Sequence, residues 1–346
     1  MTTLEDRYRR VLRLLPAAYR AEREEEMVSA FLDGAGPDDE NARPRWPEIA
    51  GVAALAVRIR LGGATPRSAA WGRTVRLTAL IGLAFQATMS CVYLAQTLGV
   101  YGLLPLPFDE TPIGDPASAD RLWHVTRDLS SLLWIAAYVA LVRGRPRVAK
   151  ATAALGLTVY VLSGTEAAES FVLVVATLAL LAGYHRDAPA HRHPGRLAAL
   201  PLVAGAAVFL VMMMSTWAMT ASSRSPEWPG TWVWVWSWLP PSGLFCLALL
   251  VACAVCLAAH LTGPRWRSPS VPLALAILTV PVTLARLSYL NPGSDQATDT
   301  MNAVTVAQAV ALVLTGTILT VIGTRTLPAR RTQRKPAIDV DDQRPA

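Results

Sequence analysis

Eight long apolar stretches, separated by short charged segments, constrain this chain more than any other feature in it. A run of about 20 apolar residues crosses a bilayer as an α-helix, because inside hydrocarbon every backbone N–H and C=O must be satisfied within the segment. The stretches fall at 77–99, 122–142, 148–163, 167–184, 197–220, 239–261, 271–290 and 302–323. The third and fourth are short, and form either two crossings or a tight hairpin that does not fully cross. Only 16% of the residues are charged, against about 25% in soluble domains, which places the chain in the membrane class. The expected fold is all-α: a polytopic bundle of about eight transmembrane helices with a small N-terminal cytosolic helical domain.

Charge sets the direction of each crossing, since Arg and Lys favour cytoplasmic loops. Arg58, Arg60, Arg67, Arg73 and Arg76 precede the first span and put the N-terminus inside. Asp109, Glu110, Asp115 and Asp120 follow outside, then Arg143, Arg145, Arg147 and Lys150 inside, then Glu166 and Glu169 outside. Arg186, Arg192 and Arg196 return inside, the mixed pair Arg224 and Glu227 lies outside, and Arg265 and Arg267 lie inside again. Asp295 and Asp299 are outside, and Arg325, Arg330, Arg331, Arg334 and Lys335 close the chain in the cytoplasm. The pattern implies a multi-pass protein of the plasma membrane with both termini cytosolic. The units are a helical prefix (1–65), a basic linker (66–76), the membrane bundle (77–323) and a basic, disordered tail (324–346). The net charge of +7 is spent on topology, so nucleic acid is not an expected partner; the lipid bilayer is. Lys150 and Lys335 are the only lysines, which, with abundant Ala and Pro, points to a high-GC bacterial genome. Cys91, Cys246, Cys253 and Cys256 all lie in apolar runs, so no disulfide scaffold is expected.

The prefix has helical periodicity. Leu4, Tyr8, Val11, Leu12 and Leu15 share a face, Pro16 opens a second helix carrying Tyr19, Met27, Val28, Phe31 and Leu32, and Pro47 opens a third with Ile49, Val52, Ala53, Ala56 and Ile59. Three short helices hold only a small core. The expectation is that they dimerise, dock on a cytosolic protein or lie against the membrane, with Tyr8, Tyr19, Arg20, Glu25, Glu26 and Phe31 as the docking candidates. The acidic run Glu22, Glu24, Glu25 and Glu26 reads first as a solvated face near a helix N-terminus, and second as a docking surface.

The stretch RYRRVLRLLPAAYRAEREEEMVSAFLD resembles the small helical prefix domain that precedes transmembrane regions in bacterial permease-like and signalling proteins. An LLP-x-x-YR-x-E pattern followed by EEM is typical of that group, and EIAGVAALAVRIRLGG resembles the version joined to multi-pass proteins of actinobacteria. The resemblance covers about the first 65 residues. It implies a regulatory or assembly role for the prefix, often beside small helix-turn-helix repressors, and implies no catalysis.

Ionisable side chains at membrane depth are costly, so each is a candidate site. Here they gather in the outer halves of the spans. Gln86, Ser90, Tyr93 and Thr97 share a face of the first span, and His124, Asp128 and Ser131 share one of the second, with Arg127 adjacent. Thr279, Thr283 and Arg286 line the seventh, and Asn302, Thr305 and Gln308 begin the eighth. Arg286 sits four residues from the expected helix end, roughly 6 Å deep, where it either snorkels outward or pairs with Asp128, Glu166 or Glu169. Ser163 to Glu166 fits a capping box, which explains Glu166 structurally; with Glu169, His124 and Asp128 it also fits a carboxylate–imidazole site. That set lacks an H-E-x-x-H spacing, and neither a metal nor a cofactor is expected. Trp228, Trp232, Trp234, Trp236 and Trp238 read as an aromatic belt at the outer interface, with a ligand-stacking surface as the alternative. Cys253 and Cys256 form C-x-x-C in mid-span, where packing explains them better than redox chemistry.

These features favour a non-enzymatic sensory or regulatory membrane protein that couples an outer polar pocket to a cytosolic helical domain. A permease for a small solute, with Asp128 as coupling acid, is the first alternative. A membrane-embedded lipid-processing enzyme using His124, Asp128, Glu166 and Glu169 is the second.

Overall fold

The structure, a computed structural model, describes residues 4–34, 45–62, 66–100, 126, 129–162, 167–184, 195–222, 237–238, 241–263, 268–290, 293 and 296–328. Eleven α-helices and one 3₁₀ turn make up this part of the chain, and no strand occurs among the described residues.

Three helices precede the membrane region: α1 (Leu4–Leu12), α2 (Ala17–Asp33) and α3 (Trp46–Gly62). Pro16 takes an extended ψ of 143° and so separates α1 from α2. Tyr8, Leu12, Leu15, Val28, Val52 and Ala56 form their common core, and Tyr8 stacks on Phe31 with ring centroids 3.9 Å apart. Glu48 accepts a 2.7 Å hydrogen bond from the Arg45 backbone N–H, which caps the start of α3. At the far end, Arg60 donates to the Leu14 carbonyl at 2.8 Å and ties α3 to the end of α1.

The bundle is built from α4 (Pro66–Val100), α5 (Leu132–Val142), α6 (Pro146–Leu162), α7 (Ala167–Gly183), α8 (Leu200–Ser222), α9 (Pro241–Thr262), α10 (Ser270–Leu287) and α11 (Gln296–Arg325). Five segments are long and apolar enough to cross a membrane: Pro66–Ala95, Gly195–Ser215, Gly243–Thr262, Ser270–Leu287 and Gln296–Arg325. This is a membrane protein. The 17 residues of α6 and of α7 give about 25 Å each, less than the ~30 Å hydrocarbon core. The residues read as a basic linker, 66–76, are helical and form the first turns of α4. Charge punctuates topology but does not stop a helix; Pro66 at the first helical position starts this one.

Two apolar clusters share α4 and α7. One holds Leu83 of α4, Trp134, Tyr138 and Leu141 of α5, Ala153 of α6 and Leu180 of α7. The other gathers Val172 of α7, Phe245 and Cys253 of α9, Leu278 and Val282 of α10, and Leu312 of α11 around Phe85 of α4. Lipid tails are as apolar as leucine, so close backbone approach supplies much of the association between these helices. Gly82 faces Ala176 across α4 and α7, where a Cβ would fall 2.8 Å from the alanine methyl. Gly316 likewise lies directly on Thr279 across α11 and α10. Among the described residues α8 packs mainly on α4 and on the 3₁₀ turn Gly195–Ala199, and α10 packs on α4, α7, α9 and α11.

Candidate functional site

α10 carries its polar residues at 279, 283 and 286 on the face turned into the bundle, and Pro281 lies between them. Proline removes the hydrogen bond to the Ile277 carbonyl and loosens that turn. Thr279 donates to the Ala276 carbonyl at 2.7 Å and Thr283 to the Thr279 carbonyl at 2.8 Å, so both hydroxyl protons are consumed within the helix. Arg286 follows in the last turn and is 1% exposed. Its Nη2 donates to the Ser237 carbonyl at 2.9 Å and to the Thr305 hydroxyl at 3.3 Å, and its guanidinium carbon lies 5.8 Å from the centre of the Tyr289 ring. Arg286 therefore does not snorkel to the headgroups. A carbonyl at the entrance to α9 and a hydroxyl of α11 replace the water that snorkelling would have sought.

Ser237 stands in a tight turn ahead of α9, where a Cβ at Gly243 would meet the Trp238 carbonyl oxygen at 2.7 Å. That close approach folds residues 237–238 back over the helix and holds the Ser237 carbonyl inside. Gly323 against Leu273 and Gly316 against Thr279 define the antiparallel register of α10 and α11. Two further turns along that register put Gln308 level with Arg286. Gln308 is 3% exposed, one helical turn from Thr305, and neither its amide nitrogen nor its amide oxygen has a hydrogen-bond partner among the described residues. An amide in that state carries a desolvation cost of about 1–3 kcal/mol, and it offers a donor and an acceptor to whatever enters. Arg286, Thr305 and Gln308 together form a buried cluster of hydrogen-bond donors and acceptors. None of the three is a nucleophile or a proton-transfer group at neutral pH.

An apolar groove of about 380 Å³ runs between α10 and α11 below this cluster, lined by Val280, Leu284, Val313 and Val321 together with four threonines. Like Thr279 and Thr283, Thr317 and Thr320 give their protons to their own helix, at the Val313 and Gly316 carbonyls. The groove thus presents hydrocarbon despite its threonine content.

His124, Arg127, Asp128 and Glu166 lie outside the described residues, as do Trp228, Trp232, Trp234 and Trp236; Glu169 is in the first turn of α7. Trp238 packs against the second apolar cluster. On α4, Ser90 donates to the Gln86 carbonyl at 2.8 Å and Thr97 to the Tyr93 carbonyl at 2.9 Å, so these hydroxyls are also spent locally. Cys253 and Cys256 are buried free thiols, the latter 3.9 Å from His260 Nδ1, and no group of three His, Cys, Asp or Glu side chains fit to hold a metal occurs among the described residues. No family model matches the chain, and neither a curated protein nor a solved structure matches it.

In the N-terminal helices, Tyr8, Tyr19 and Phe31 belong to the shared core, and Arg20 is half-buried beside them. Burial, with the Glu48 carboxylate nearby, pushes the Tyr8 phenol above its ordinary 10. Arg9 on α1 binds Glu25 on α2 in a fork of 2.9 and 3.1 Å and also reaches Glu5 at 3.0 Å. These bonds raise the pKa of Arg9 and hold the exposed Glu25 carboxyl below its ordinary 4.5. Glu26 pairs with Arg23 at 3.3 Å on the open side of α2. Two of the four acids in the run, Glu24 and Glu25, therefore clamp α1 to α2 through Arg9.

Sequence reasoning placed Arg286 and Gln308 at membrane depth but missed the Ser237 carbonyl, because a backbone acceptor has no residue signature. The groove also went unseen. Its signal was Gly316, which lies against Thr279 of the neighbouring helix.

Proposed function

We propose that this chain is a non-enzymatic sensory or regulatory protein of the plasma membrane, crossing the bilayer eight times with both termini in the cytoplasm. The observation that carries this reading is mechanical. α3 packs on α4 and α7, and α10, which bears Arg286, packs on the same two helices. A change in how the Arg286, Thr305 and Gln308 cluster is filled then shifts α10 against α4 and α7, and through them the seat of the N-terminal helices. The resemblance of the first 65 residues to regulatory prefix domains supports the same direction of coupling. So does the clamped, internally packed state of α1 to α3, which suits a unit that moves as one piece.

Hydrogen exchange of the full-length protein in nanodiscs tests the coupling. Arg286→Ala is expected to change protection in residues 4–62 as well as around the substituted helix. Altered exchange confined to α9, α10 and α11 would sink the proposal. Thiol labelling of a cysteine placed beyond Thr324 tests the topology, and reaction from outside intact cells counts against it.

A further inference from the structure

α3 is apolar on two opposite faces, and only one of them is used. Val52 and Ala56, 5% and 3% exposed, turn into the core shared with α1 and α2. On the opposite face Trp46, Ala50, Ala54 and Val57 recur every three or four residues and are all exposed, Trp46 at 83% and Val57 at 39%. Arg58 and Arg60 flank this stripe on either side, and Arg45 stands at its start, all three exposed. The single acid of the helix, Glu48, is bound to the Arg45 backbone on the core side.

We propose that this stripe lies in the headgroup region of an anionic cytosolic leaflet, with Trp46 as its anchor; the cytosolic location rests on the topology given above. Four observations choose lipid over a protein partner. α3 ends at Gly62 and α4 enters the membrane from Pro66, so a link of three residues, roughly 10 Å at most, separates the two helices. The α3 end is also seated directly on α4, where the Leu61 carbonyl covers Gly72. An aromatic ring with a narrow apolar face flanked by arginines is the pattern of a helix lying in the interface plane. Finally, exposed Arg67 and Arg73 on α4 extend the cationic surface.

The test uses the full chain in vesicles of phosphatidylcholine, with and without phosphatidylglycerol. An environment-sensitive fluorophore is attached at Ala50→Cys, Ala54→Cys or, as control, Ser29→Cys on the open side of α2, with labelled wild type as background. Labels at 50 and 54 are expected to be quenched by lipid-borne nitroxides and the label at 29 by an aqueous quencher. Arg45→Glu combined with Arg58→Glu is expected to lower the immersed fraction in anionic vesicles by on the order of tenfold. Equal aqueous quenching at 50 and 29 overturns the proposal. So does protection at 50 from both quenchers with crosslinking to a second copy, which assigns the stripe to a dimer. An impermeant thiol reagent at Ser29→Cys reads separately which side carries the unit, so a wrong topology is distinguished from an unimmersed helix.

Discussion

α8 and α10 are both apolar enough to span a bilayer, yet 11% of one and 72% of the other is buried in the protein. α8 rests on α4 at Gly205, where a Cβ would lie 2.6 Å from that of Cys91, and Leu202, Leu210, Met214 and Trp217 are exposed around the rest of it. α10 has neighbours on nearly every side, and it holds two prolines, two buried threonines and a buried arginine. In water the more apolar helix goes to the centre. In lipid that rule fails, because the solvent is as apolar as the core, and the central helix is the one with groups that lipid cannot satisfy. Burial in this bundle therefore follows polar and small residues.

The largest expected effect separates the two helices by volume. Gly316→Leu must displace Thr279, whose Cβ and Cγ2 would lie 3.2 and 3.4 Å from a Cβ at that position, and whose hydroxyl is already committed to the Ala276 carbonyl. Thr279 is locked in its helix rotamer, so α10 and α11 move apart, at a cost of about 3 kcal/mol or more. Ala207→Leu on the exposed side of α8 adds nearly as much bulk, one carbon less, into lipid and is expected to change stability by less than about 0.5 kcal/mol. Unfolding in mixed micelles measures both. Similar losses at the two positions would break the comparison and imply that α8 has an undetected neighbour.

Deleting volume gives the next effect. Leu278, 0% exposed in the second cluster, is expected to lose about 2 kcal/mol on change to Ala, near the low end for a buried leucine because lipid offers part of the same dispersion to the separated helices. Leu202→Ala, at a site 66% exposed, is expected to be close to neutral. A cost at Leu278 no greater than at Leu202 would mean that the α10 core is loosely packed.

The same physics decides what could be read without coordinates. Thr279, Thr283, Arg286, Thr305 and Gln308 mark inward faces, because a polar group at lipid depth has to turn away from lipid, and the structure buries all five. The order of burial among the spans left no trace in hydropathy. The start of α4 at Pro66 was hidden behind arginines that read as a loop. Phe31 and Tyr8 read as docking residues from the face each isolated helix exposes, and only the pairing of α1 with α2 shows that these faces meet. The second face of α3 escaped notice for a related reason: a helix that is apolar on two sides has no simple amphipathic period.

Gln308 offers the smallest and most discriminating test. Its amide is enclosed without a hydrogen bond, so exchange for leucine, which has nearly the same shape, removes a desolvation cost and leaves the packing in place. The expected result is a gain of about 1 kcal/mol, measured by unfolding in detergent. The gain follows from burial without partners, the one condition under which a polar residue in α10 or α11 is worse than the apolar surface of α8. A loss of stability instead would show that the amide is satisfied by something held between Arg286 and Thr305, a water or a ligand. In that case the cluster is occupied at rest, and coupling to the N-terminal helices would run through release of that occupant.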